Sequence, residues 1–101
     1  MTREGVLTVL RSHEPELLAR GVAHVALFGS LARGDESERS AVDVFLRFAP
    51  DASVTLWDYA ALKRRVARML RLRANRIDVV DIDGVSARVR SAVERDALYA
   101  F

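Results

Sequence analysis

The sequence predicts an α/β (α+β) domain, a small mixed sheet flanked by helices, on three observations. Short apolar runs at 22–28, 42–48 and 76–80, partly β-branched, have the length and composition of strands. Around them lie segments whose apolar residues recur every three or four positions, the period of an amphipathic helix. At 101 residues the chain suffices for one modest core, so residues 1–101 are expected to form a single domain.

Taken in order, Val6, Leu7, Val9, Leu10, Leu17 and Leu18 form a stripe that predicts a first helix from about Thr2 to Arg20. Pro15 interrupts or restarts it, with Ser12 available as a cap, and Gly21 ends it. Val22–Phe28 reads as a strand buried on both faces. Leu31–Arg33 suits one helical turn, and Gly34–Ser40 a polar loop. Val42–Phe48 is the second strand, closed by Ala49-Pro50-Asp51. Leu56, Tyr59, Leu62, Val66, Met69 and Leu70 mark a long helix over about Val54–Leu72. Arg76–Val80 is the third strand, Ser86 caps a last helix through about Arg95, and Leu98–Phe101 forms a short edge strand.

Composition narrows the class of function. Half the residues are apolar and 30% charged, as in an ordinary globular domain. No apolar run approaches the roughly 20 residues of a membrane span. The N-terminus lacks a basic stretch followed by an apolar one, so no secretory signal is expected. Cysteine is absent, which removes disulfide and thiolate chemistry and fits a cytoplasmic location. Net charge is only +2, yet Lys63, Arg64, Arg65, Arg68, Arg71, Arg73 and Arg76 crowd one stretch. Such a run is either the solvated face of a helix or an electrostatic footprint for nucleic acid, nucleotide phosphates or an acidic partner.

The chemistry concentrates in Leu27-Phe28-Gly29-Ser30-Leu31-Ala32-Arg33-Gly34 and, with ten residues intervening after Ser30, in Ala41-Val42-Asp43. Glycine directly after a strand lets the backbone approach a ligand, and the following N–H groups favour an anion. Ser30 adds a hydroxyl donor. Residues 41 and 43 point to one face of a strand, where paired aspartates would suit Mg²⁺. Asp43 interrupts an apolar strand and so requires a metal, an arginine such as Arg47 or Arg76, or exposure. Asp78 interrupts the third strand in the same way. If the two strands are neighbours, both carboxylates converge, and Asp78 can accept a proton from an attacking hydroxyl. Asp81 and Asp83 read as turn and cap residues. His13 and His24 have no ligand partners at metal-site spacing, and Ser37, Ser40 and Ser53 lack a base. Trp57 and Tyr59 are expected in the core or at an interface.

These residues resemble the Gly-Ser-x10-Asp-x-Asp motif of the minimal nucleotidyltransferases, small relatives of DNA polymerase β. The likeness runs through nearly the whole chain and includes Arg76-Ile77-Asp78-Val79-Val80-Asp81. It implies the nucleotidyltransferase fold and transfer of AMP from ATP, with two Mg²⁺ held by three carboxylates. It further implies a HEPN-type ribonuclease toxin as protein partner, silenced by adenylylation of a tyrosine. On this resemblance Gly29, Ser30 and Arg33 would bind the nucleotide, and Asp43 and Asp78 would serve as metal ligands and catalytic carboxylates. Ala41 stands where the first motif Asp belongs and has no donor atom. Retention of the remaining motif favours an engineered or recent inactivation over long decay. The competing expectations are a non-catalytic module that neutralises its partner by contact, and an RNA-binding accessory protein.

Overall fold

The apolar runs become the strands of one sheet in the computed structural model, which describes residues 2–35 and 41–101. The strands are β1 (Val22–Phe28), β2 (Val42–Phe48), β3 (Ile77–Asp81) and β4 (Leu98–Tyr99), in the order β3-β2-β1-β4. The β1–β2 and β1–β4 pairs are antiparallel and β2–β3 is parallel, so the sheet is mixed as expected. The helices are α1 (Arg3–Ser12), α2 (Glu14–Ala19), the single turn α3 (Gly29–Ala32), α4 (Leu56–Met69) and α5 (Ala87–Arg95). Short 3-10 turns at Ala74–Arg76 and Ile82–Gly84 flank β3. No helix among the described residues is long and apolar enough to cross a membrane.

The boundary differences have local causes. The expected 2–20 helix is two helices, because Pro15 enters the first turn of α2, where its missing N–H costs nothing. Ser12 does not cap α2: His13 occupies that position, and the Ser12 hydroxyl donates back to the Val9 carbonyl at 2.6 Å. Gly21, at φ +91°, ends α2 as expected. The helix expected over 54–72 is shorter at both ends. Thr55 and Asp58 form a reciprocal capping box that starts it at Leu56. At the other end Arg71 takes a left-handed conformation, φ 56°, and the Leu72 N–H returns to the Ala67 carbonyl. Arg76 belongs to the 3-10 turn, so β3 is shifted by one residue from 76–80. Residues 36–40, including Ser37 and Ser40 of the expected polar loop, lie outside the described residues.

Alternation along β2 divides the core. Val42, Val44 and Leu46 pack with Val6, Leu10, Leu17, Leu62 and Val66 from the helices on one face. On the other face Phe45 joins Ala26 and Ile82, covered by Val93 of α5 and by Ala97. Arg47 shares that face and fastens α5, reaching Glu94 at 2.6 Å and Asp83 at 3.7 Å. β1 is not buried on both faces throughout: His24 is exposed and meets the edge of the Tyr99 ring at 6.1 Å. Beyond β4, the Ala100 N–H donates to the Val25 carbonyl at 2.8 Å, and the Arg11 guanidinium reaches the Ala100 carbonyl at 2.9 Å.

The two aromatics of α4 have opposite fates. Trp57 is 85% exposed, beside Leu56 at 84%, and neither belongs to the core. Tyr59 is half-buried, and its hydroxyl donates to the Val79 carbonyl at 3.1 Å while accepting from the Asp81 N–H at 3.0 Å. One side chain thus satisfies two backbone groups of β3. Tyr59→Phe should therefore lower unfolding free energy by about 1–2 kcal/mol, through two orphaned backbone groups. Urea denaturation with an unchanged m-value would check this.

Candidate active site

The parallel ladder sets Asp43 of β2 directly opposite Asp78 of β3. Neighbouring residues Val42 and Val44 face the large core, so Asp43 projects to the opposite face, at the end where β1 gives way to α3. Asp43 is half-buried and Asp78 exposed. Desolvation, reinforced by the negative charge of Asp78, holds the Asp43 carboxyl above its usual range, with Arg33 partly opposing. Two carboxylates held side by side repel, and a cation between them would remove that cost. Arg47 does not serve, being committed to Glu94 and Asp83, and Arg76 forms no ion pair among the described residues. Among the described residues, Asp43 is therefore paired with neither of these arginines.

Gly29 is fitted to Asp43. It has φ +74°, and a Cβ there would collide with the Asp43 carboxylate, lying 3.2 Å from its Cγ. Only glycine lets the turn run this close to the carboxylate. Ser30 follows, half-buried, as α3 begins. The turn is fixed from behind by Asp35 N–H to Ser30 carbonyl at 2.9 Å, and by Arg3, which donates to the Ala32 carbonyl at 3.0 Å. The first N–H groups of a helical turn have no partner within it.

Arg33 is exposed at the mouth of this arrangement. It donates to Asp96 at 3.0 Å and lies 3.9 Å from Asp35. The Asp96 contact spans 63 residues and had no signal in the sequence. Ala41, half-buried, immediately precedes β2, two residues from Asp43 and hence toward the same face. It brings no ligand atom. Among the described residues no group of three or more His, Asp or Glu side chains is placed to hold a metal. Mg²⁺ is often bound by one or two carboxylates with substrate phosphates completing the shell. Asp43 and Asp78 fit one such ion; a second would lack the donor absent at Ala41.

A mixed sheet with a Gly-Ser turn after its first strand and an aspartate pair on the next two has the nucleotidyltransferase fold. The chain belongs to the nucleotidyltransferase domain family, whose profile matches residues 6–99. It is 30% identical over 100 residues to the protein adenylyltransferase MntA of Thermococcus cleftensis, covering 98% of this chain and 96% of that one. A solved structure described provisionally as a minimal nucleotidyltransferase is 32% identical, with TM-score 0.69 and coverage of 97% and 95%. The MNT antitoxin complex with the tri-AMPylated HEPN toxin of Shewanella oneidensis is similar in fold, with TM-score 0.59 and 17% identity. That match covers 97% of this chain and 67% of the other.

The geometry gives two expectations. Gly29→Ala should cost about 1–3 kcal/mol in thermal or chemical denaturation, from positive-φ strain and the clash with Asp43. Asp43→Asn should raise the melting temperature in chelator-treated buffer near neutral pH. The sign follows from the raised carboxyl: charging Asp43 costs the folded state stability as pH rises through its folded value. The gain should therefore vanish well below the ordinary carboxylate range, as melting curves across pH would show.

Proposed function

We propose that this chain is a nucleotidyltransferase-fold antitoxin whose chemistry is transfer of AMP from ATP to a HEPN-type ribonuclease toxin, impaired here by Ala41. The observation that carries the reading is the pairing of Asp43 with Asp78 beside the Gly29-Ser30 turn. The names of the Thermococcus relative and of the Shewanella complex support the reaction and the partner.

In this reading the Gly29 and Ser30 turn grips the triphosphate through backbone N–H groups and the Ser30 hydroxyl. Arg33 neutralises phosphate charge at the mouth, exchanging Asp96 for the nucleotide. Asp78 accepts the proton of the acceptor hydroxyl as its oxygen bonds to the α-phosphorus. The bond from the α-phosphorus to the bridging oxygen breaks, and pyrophosphate leaves. Mg²⁺, held by Asp43 and Asp78, would supply charge neutralisation at the phosphates. Losing one ion's hold at position 41 removes several kcal/mol, roughly, of transition-state stabilisation, or a few orders of magnitude in rate at about 1.4 kcal/mol per tenfold.

Ala41 also favours a second reading, a non-catalytic module that neutralises the toxin by contact. One experiment separates the two. Ala41→Asp, incubated with MgATP and the HEPN protein, should add one or more adenylyl groups to that protein by intact mass, far faster than the chain with Ala41. No mass gain, together with ATP-independent suppression of the ribonuclease, would establish neutralisation by contact instead.

A further inference from the structure

The reaction proposed above needs a way to hold its protein acceptor, and the outer edge of β3 has the features for it. A groove of about 340 Å³ runs between α4 and this edge. Lys63 and Arg64 form its outer wall, Ala67 and Ile77 its apolar floor, and Asp78 and Val79 its strand side. Arg68, Arg71 and Arg73 continue the basic surface, all exposed. Of the basic residues from 63 to 76, only Arg65 forms an ion pair among the described residues, and it turns away to Glu16 of α2 at 2.7 Å. Lys63 rests over the Tyr59 ring, 4.8 Å from its centroid, with no carboxylate partner among the described residues. So much unneutralised positive charge around a narrow slot is complementary to an acidic ligand.

The strand edge defines the ligand's shape. The Tyr59 hydroxyl occupies the Val79 carbonyl and the Asp81 N–H. Backbone groups alternate in direction along a strand, so the Ile77 carbonyl and the Val79 N–H face the same outer edge. They form the next rung, inside the groove and beside Asp78. An extended peptide can pair there and, because of Tyr59, can advance no further along the strand. A nucleic acid is less well suited: the floor is apolar, and the rung at Ile77 and Val79 asks for the alternating N–H and carbonyl groups of an extended backbone, which a phosphodiester chain lacks.

We propose that the groove between α4 and the outer edge of β3 seats an acidic, extended segment of the protein acceptor and delivers its hydroxyl to Asp78. This rests on the adenylyl-transfer reading for its purpose, but its binding step does not involve nucleotide. The test is fluorescence anisotropy of a short Glu-rich peptide carrying one tyrosine, titrated without ATP against the chain as it stands. The peptide should bind, with shifts at the Ile77 and Val79 amides by NMR. Lys63→Glu/Arg64→Glu should weaken it about tenfold or more, with Arg64→Gln/Arg68→Gln as the milder pair should the reversal disturb folding. Arg88→Glu, on exposed α5 surface, should leave binding unchanged. Absence of binding, equal sensitivity to Arg88→Glu, or tighter binding of single-stranded RNA through the same arginines would each overturn the proposal. Peptide binding without transfer after Ala41→Asp would keep the groove and remove the transfer reading; transfer without peptide binding would do the reverse.

Discussion

The parallel ladder between β2 and β3 is the constraint on which the rest of the structure depends. It pairs Asp43 with Asp78 and, in the same register, Phe45 with Val80 and Val44 with Val79. Carboxylate repulsion at one end is therefore offset by apolar pairing along the remainder. Burying Phe45 and Val44 fully is worth on the order of 1.5–3 kcal/mol each. A half-exposed carboxylate pair costs less than that, because water screens it. The sheet can thus carry an electrostatically unfavourable feature at its open end, as functional sites commonly do.

The sequence made the strands legible for the same reason. Val22–Phe28 and Val42–Phe48 are apolar enough, and long enough, to allow little else, and β1 and β2 have those same limits. The helix ends were harder. Leu70 and Leu72 extend the apolar period of α4 past its end, so periodicity alone overran a stop set by the backbone at Arg71. The start of α4 does carry a local signal, since Thr55 and Asp58 have the spacing of a capping box. The parts of the candidate site, Gly29, Ser30, Asp43 and Asp78, stand out in the sequence as interruptions of apolar strands or as a turn after one. Their convergence depended on which strands are neighbours, and that is a property of topology. Arg33 with Asp96, and Tyr59 with Val79 and Asp81, join residues 20 or more positions apart, and local pattern carries no trace of them.

Position 41 shows how composition and geometry divide the work. The backbone there still leads into β2, and Gly29 still makes room for Asp43. Alanine at a half-buried strand entrance costs the fold little, since the site's shape is held by Gly29, Arg3 and the β2–β3 ladder. On the reading proposed above, a metal donor can be absent at this position without loss of architecture. The docking groove, on the far side of Asp78, does not involve residue 41 at all.

The closure of the sheet by the last residues has a temporal consequence. Ala100 and Phe101 bond to Val25, and Arg11 of the first helix holds the Ala100 carbonyl across 89 positions. Leu98 pairs with Leu27, at the root of the Gly-Ser turn. Contacts of such sequence separation form only when both partners exist and the intervening chain has been ordered. On the ribosome, α1, β1 and β2 emerge early but cannot complete their sheet until residues 98–101 have left the exit tunnel. The sheet is thus completed only when residues 98–101 are free to pair, and until then β1 presents an open edge beside the Gly29-Ser30 turn.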